Sequence, residues 1–285
     1  MNMQKIAVLG QGQMGSGIVQ VAAQNGFEVL LYGRSPERVA AAVQKIGKSY
    51  DKSVEKGRID ADTAAAAKAR IRTTSTLEEV ASCDIVIESI SEDIALKKEF
   101  FQKLDACCPP ETIFASNTSS TCITEIACAT ARPDRFIGMH FFNPVPAMKL
   151  VEVIRGLATS DEVYEAVFAL AAALKKDPVT VQDSPGFVVN RVLLPMINEA
   201  VFVLYEGVAS AADIDKAMKL GCNHPMGPLA LADMIGLDTC LSILDVLYQD
   251  SGDPKYRACY LLRKMVRGGF LGMKSGKGFF EYPAK

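Results

Sequence analysis

Histidine is almost missing from this chain, with two residues, His140 and His224, in 285. That scarcity excludes a metal centre built from clustered histidines, and no metal site is expected. A charge bias is missing too, since 31 Lys and Arg face 33 Asp and Glu. Binding dominated by nucleic-acid phosphates needs a basic footprint, so no nucleic-acid partner is expected. Cysteine is present eight times, but with no CxxC pair and no zinc-type spacing. Runs of about 18 apolar residues are absent, so a membrane-spanning helix is not expected. The start, MNMQKIAVLG, lacks the charged region, long apolar stretch and small-residue cleavage site of a signal peptide. The expectation is a cytoplasmic protein with reduced thiols, most of them filling the core.

What remains is ordinary globular composition, 49% apolar and 22% charged. The length suits one large or two smaller domains without staples. Short apolar runs at 5–9, 27–32, 84–90, 112–115, 135–140, 150–154 and 179–181 read as strands. They are rich in Val and Ile and do not alternate, as strands covered on both faces do. Helical stretches between the early ones imply an α/β, Rossmann-type, doubly wound, mainly parallel sheet. The later strands lie too close together for crossover helices, so some antiparallel additions are expected. DSPGF at 183–187 is a Pro-Gly turn and a natural boundary. Beyond it, 188–206, 211–220, 228–248 and 255–266 read as helices, with Ser210 and Asp213 forming a capping-box-like start. The expected organisation is a dinucleotide-binding domain over 1–184 and an all-α substrate and dimerisation domain over 185–285. The surplus of apolar residues in the second points to an oligomer interface.

Gly10-Gln11-Gly12-Gln13-Met14-Gly15 follows a strand and opens an amphipathic stretch. In that context GxGxxG indicates a dinucleotide cradle. Gly10 permits the tight turn, Gly12 admits a pyrophosphate to the backbone, and Gly15 lets helix and strand pack closely. The helix N-terminus adds free N–H groups and a positive dipole end. About 20 residues on, at the end of the second strand, an acidic residue ordinarily binds the ribose 2′-hydroxyl. Here the chain reads Gly33-Arg34-Ser35. Loss of the acid and gain of an arginine beside a hydroxyl suit a 2′-phosphate. NADP(H) is therefore expected in preference to NAD(H).

Lys45, Lys48, Lys52 and Lys56 recur at helical spacing within a helical hairpin read over about 37–71, with Gly57 stopping one helix and Asp60 capping the next. The stripe reads either as a solvated face or as a landing strip for an anionic, phosphate-bearing substrate tail.

His140 closes the run RFIGMH, and three features surround it with chemistry. Ser116-Asn117-Thr118-Ser119-Ser120 closes an earlier strand, where open parallel sheets bind ligands. Glu152 interrupts the apolar run LVEVI, and a carboxylate there is costly without a partner. Asn190 follows the Pro-Gly turn. These are parts for hydride transfer to or from an alcohol, with His as acid/base and Ser and Asn as donors to the reacting oxygen. His224, inside NHPMGP, has no such context.

GQGQMG, ASNTSS, HFFNPVPAMKLVEVI, DSPGFVVNR, HPMGPLALAD and KSGKGFF run through the whole chain. Together they resemble the 3-hydroxyacyl-CoA dehydrogenases, most nearly the compact stand-alone 3-hydroxybutyryl-CoA dehydrogenases. The resemblance implies reversible oxidation of (S)-3-hydroxyacyl-CoA to 3-oxoacyl-CoA in a homodimer. It implies His140 as acid/base, Glu152 as its partner, and Ser119 and Asn190 as binders of the reacting oxygen. Cofactor contacts are implied at the glycine loop (including Gln13 and Met14), Glu92, Lys97, Ser119, Asn143 and Lys274. Coenzyme A contacts are implied at Ser49 and Lys56, with Lys52 beside them on the stripe. The family ordinarily carries Asp at position 33, so Gly33 is the departure. Two rivals are a related hydroxyacid or sugar-acid dehydrogenase without coenzyme A, and a non-catalytic dinucleotide-binding protein.

Overall fold

The computed structural model describes residues 3–283. It divides into two compact units, Met1–Ser184 and Pro185–Lys285. In the first, β1 (Lys5–Leu9), β2 (Glu28–Tyr32), β3 (Ile71–Thr74), β4 (Ile85–Glu88), β5 (Ile113–Ser116), β6 (Phe136–Phe141), β7 (Leu150–Arg155) and β8 (Asp177–Gln182) form one sheet. Their order is β3-β2-β1-β4-β5-β6-β7-β8. All neighbours are parallel except β6 and β7, which run antiparallel. The central strands bury on both faces; β4 and β5 have no exposed residue at all. Covering them are α1 (Gln13–Gln24), α2 (Pro36–Glu55), α3 (Ala61–Ala69), α4 (Ile94–Cys107), α5 (Ile123–Ala127) and α6 (Asp161–Ala173).

Strand order reverses between β1 and β4, the position where open sheets of this kind take ligands beyond their carboxyl ends. The helical hairpin, α2 and α3, is the crossover from β2 to β3. The reading of helix through Ile71 is corrected here, since Ile71–Thr74 pairs with β2 as a strand. The hairpin's stops follow local chemistry. Ser35 accepts the Arg38 N–H at the start of α2, and Asp60 accepts the Thr63 N–H at 2.6 Å at the start of α3. Lys56 is the C-cap of α2, one residue beyond the helical part of the stripe.

The second unit is mainly helix, α7 (Val189–Tyr205), α8 (Ala211–Gly221), α9 (Pro228–Ile235), α10 (Leu237–Ser251) and α11 (Tyr260–Arg267), with isolated bridges pairing Lys277 with Gly272 and Glu281. The single helix read over 228–248 is two, because Gly236 takes φ +103° between α9 and α10. Likewise 255–266 opens with a short turn at Pro254–Tyr256 before α11 begins. Buried carboxylates tie the unit together. Asp215 accepts the N–H groups of Leu229 and Ala230 at the start of α9. Asp233 accepts from Phe279 N, Phe280 N and the Tyr282 hydroxyl, which joins the HPMGPLALAD and KSGKGFF segments. Burial pushes the Asp233 carboxyl above its ordinary range despite those three donors.

Among the described residues, no helix is long and apolar enough to cross a membrane. Cys83, Cys108, Cys240 and Cys259 are buried, and burial pushes the Cys108 and Cys240 thiols up to about 12. Cys122, Cys128 and Cys222 are exposed, so core filling describes only part of the set.

Candidate active site

The carboxyl ends of four parallel strands carry the chemistry of the first unit. After β1 comes the glycine loop. Gly10 sits at φ +110°, and a β-carbon there would lie 2.3 Å from the Ser89 carbonyl oxygen. A β-carbon on Gly15 would lie 2.0 Å from the Gly10 carbonyl oxygen, so helix and turn touch with no room for a side chain. Gly12, the N-cap of α1, opens onto unfilled space instead. A tight turn, a close helix and an open backbone at the helix N-terminus fit a dinucleotide pyrophosphate. Met14 is half-buried against the core, and Gln13 projects outward to donate its Nε2–H to Asn143 Oδ1 at 2.8 Å.

After β4 and β5 comes a network of ionised groups. Glu88 ends β4 and is fully buried, with Lys97 Nζ on its Oε1 at 2.7 Å and the Ser116 hydroxyl on its Oε2 at 2.6 Å. The same ammonium lies 3.3 Å from Glu92 Oε2. Glu92 in turn accepts the Ser119 N–H at 2.7 Å, the Ser119 hydroxyl at 3.1 Å and the Thr118 hydroxyl at 2.8 Å. Desolvation works to raise the Glu92 carboxyl, but the Lys97 charge and these donors outweigh it and hold it below the ordinary range. Ser119, Glu92 and Lys97 are thus one connected group. Glu88, which the sequence reading did not single out, is its buried base, with Ser116 of the 116–120 stretch bonded to it.

On β6, His140 faces Glu152 of β7 directly across the antiparallel pair. His140 Nδ1 and Glu152 Oε2 are 2.8 Å apart, and both residues are buried. A carboxylate accepts only, so Nδ1 carries the proton in this contact, and Nε2 becomes the nitrogen able to exchange a proton elsewhere. The Phe142 ring packs against the imidazole with centroids 4.5 Å apart. Asn117, of the same 116–120 stretch, accepts the Phe141 N–H at 2.8 Å and so couples β5's end to β6's end. Lys176 is buried and donates to the carbonyls of Val145 (2.5 Å) and Met148 (2.7 Å), which holds the turn that follows Asn143.

The remaining sequence-derived candidates fall elsewhere. Gly33 is buried at the end of β2, with Arg34 exposed beside it. The Ser35 hydroxyl is committed to α2, donating to Glu37 Oε2 at 2.7 Å, so Arg34 is the group of that pair with unspent donors toward a phosphate. Lys45, Lys48, Lys52 and Lys56 are all exposed, and Ser49 is half-buried among them. Asn190 and Lys274 belong to the second unit. Asn190 is buried in the first turn of α7, and Lys274 is exposed, with Nζ 2.6 Å from Asp238 Oδ2.

Residues 5–184 match the 3-hydroxyacyl-CoA dehydrogenase NAD binding domain, and residues 186–282 match the 3-hydroxyacyl-CoA dehydrogenase C-terminal domain. A 3-hydroxybutyryl-CoA dehydrogenase of Clostridioides difficile is 51% identical over 98% of this chain and 99% of its own length. Human mitochondrial hydroxyacyl-coenzyme A dehydrogenase is 43% identical over 97% of this chain and 90% of its own. The crystal structure of (S)-3-hydroxybutyryl-CoA dehydrogenase from Ralstonia eutropha superposes with a TM-score of 0.97 at 49% identity, covering 99% of this chain and 100% of that one.

Proposed function

The chain belongs to the 3-hydroxyacyl-CoA dehydrogenase family, and from that premise we propose that it interconverts (S)-3-hydroxybutyryl-CoA and acetoacetyl-CoA, with His140 as acid/base and NADP(H) as the preferred cofactor. The observation that carries the proposal is the His140–Glu152 pair, at 2.8 Å, on β6 and β7 of the sheet whose β1 carries the glycine loop. A bound nicotinamide supplies the hydride for C3 of the 3-oxoacyl group, or accepts it in reverse. His140 Nε2–H gives its proton to the C3 oxygen as the carbonyl becomes an alcohol, and takes it back in oxidation. Glu152 fixes the imidazole's tautomer and stabilises the imidazolium form. The Ser119 hydroxyl, now on Glu92, turns to donate to the developing oxyanion. Gly10, Gly12, Gly15, Glu92, Lys97 and Asn143 are the first unit's groups that would hold the cofactor.

NADP(H) preference rests on Gly33 and Arg34. With no carboxylate at the end of β2, a 2′-phosphate meets no repulsion there, and the exposed guanidinium can pair with it. Initial rates with acetoacetyl-CoA and longer 3-oxoacyl-CoAs, each with NADPH and NADH, test both halves. A higher kcat/KM with NADPH, falling as the acyl chain lengthens, is expected; a clear NADH preference removes the cofactor part.

Coenzyme A phosphates suit the exposed lysines at 52 and 56 beside Ser49. Lys56→Ala is expected to raise KM for acetoacetyl-CoA several-fold, on the scale of one charge-assisted contact, and to leave KM for the cofactor unchanged. The reverse pattern overturns that assignment. The second unit leaves Val192, Tyr205, Val208 and Leu220 exposed, apolar surface suited to a homodimer contact. Sedimentation velocity at a single-chain mass would contradict it.

A further inference from the structure

The missing side chain at Gly33 has a substitute. A β-carbon built on Gly33 would lie 2.6 Å from Gln11 Oε1, 3.1 Å from Gln11 Cδ and 2.5 Å from Val39 Cγ2. The carboxamide of Gln11 therefore already fills the volume into which an acid at position 33 would grow. Gln11 stands in the glycine loop itself, one residue before the pyrophosphate-facing Gly12, and is half-buried. We propose that Gln11 is the residue that reads the 2′ position of the adenosine ribose, in place of the usual carboxylate at the end of β2.

The chemistry of the swap decides what the site tolerates. A carboxylate only accepts, so it favours a ribose hydroxyl and repels a 2′-phosphate. A carboxamide carries no charge, and its N–H₂ end can donate to a phosphate oxygen. Charged groups near this seat include Arg34, exposed beside it, and Glu79, which lines the adjoining cavity with Val39 and Thr74. Two further glutamates are Glu37, held by the Ser35 hydroxyl, and Glu99, whose carboxyl the Arg34 charge helps to lower. All three glutamates are exposed and screened by solvent. The neutral Gln11 is the group seated at Gly33 itself. The contact also couples the two positions: a side chain at 33 must displace the Gln11 carboxamide and shift Val39 Cγ2, 2.5 Å away. An acid at 33 fails while Gln11 stays in place.

This inference builds on the NADP(H) reading, and fragment binding separates the two. The fragments are 2′,5′-ADP and 5′-ADP, which carry no nicotinamide and need no turnover. Their dissociation constants would be measured by calorimetry on wild type, Gln11→Glu, Gly33→Asp and the Gln11→Ala/Gly33→Asp double variant. Gln11→Glu changes one terminal group at constant shape. It is expected to shift the 2′,5′-ADP to 5′-ADP affinity ratio toward 5′-ADP by about tenfold or more, the scale of one hydrogen bond to a charged group. Gly33→Asp alone is expected to weaken both fragments, and the double variant to regain 5′-ADP binding relative to Gly33→Asp. Circular dichroism on the same samples reports whether each variant is folded. A ratio unmoved by Gln11→Glu, or a double variant no better than Gly33→Asp, overturns the role of Gln11. A wild-type preference for 5′-ADP overturns the NADP(H) reading instead, and the response to Gln11→Glu still decides whether Gln11 reads the ribose.

Discussion

His140→Gln is expected to lower kcat for acetoacetyl-CoA reduction about 10²–10⁴-fold, the range a positioned general acid contributes. Glutamine approximates the length of the imidazole and can still donate an N–H to Glu152, so the buried carboxylate keeps a partner and the β6–β7 pairing survives. What it cannot do is release and recover a proton near neutrality. Because the glycine loop, Glu92 and Lys97 are untouched, cofactor binding measured by fluorescence titration should match wild type. Glu152→Gln is the companion variant. Its carbonyl can accept from Nδ1, but it carries no charge to stabilise an imidazolium, so kcat falls while the fold persists. Turnover of His140→Gln within a few-fold of wild type would falsify the acid/base assignment.

Glu88→Leu is expected to destabilise the first unit by about 3 kcal/mol, as for removal of one partner from a buried ion pair. Lys97 is 1% exposed and Glu88 is 0% exposed, so neither charge has water to fall back on. Glu92, 3.3 Å from the same ammonium, compensates only in part, because its carboxylate is already engaged by Ser119 and Thr118. Urea unfolding followed by circular dichroism reads the shift. Adding Lys97→Met to Glu88→Leu should restore most of the lost stability, since apolar replacement of both partners is near neutral or stabilising. The double variant should nevertheless remain poor in cofactor binding. A single variant as stable as wild type would contradict the importance of this pair.

Much of this site can be read before any coordinates, for local reasons. The glycine loop and its strand–turn–helix frame lie within one contiguous stretch, and the matching loop geometry follows from it. Glu152 announces itself as a carboxylate in an otherwise apolar strand, and its partner is found directly opposite on β6. Glu88 gives the same signal inside the run read over 84–90, but its partners Lys97 and Ser116 lie on other elements at no telling spacing. β3 escaped because IRTT is short and half-exposed, with no apolar run to mark it. The break at Gly236 escaped because one glycine in a periodic apolar pattern is compatible with a continuous helix; only its positive φ ends α9. Gln11 could not be foreseen at all. Its significance lies in a contact with Gly33 across the loop, and spacing along the chain carries no trace of it.

The most direct test is a single comparison of substrates at fixed NADPH: acetoacetyl-CoA against free acetoacetate, followed by loss of nicotinamide absorbance. Rapid consumption with the thioester and none above background with the free acid is the expected result, because only the thioester carries coenzyme A phosphates for the contacts proposed at Lys52 and Lys56. Turnover of the free acid with none of the thioester would contradict it and favour a hydroxyacid dehydrogenase that dispenses with coenzyme A.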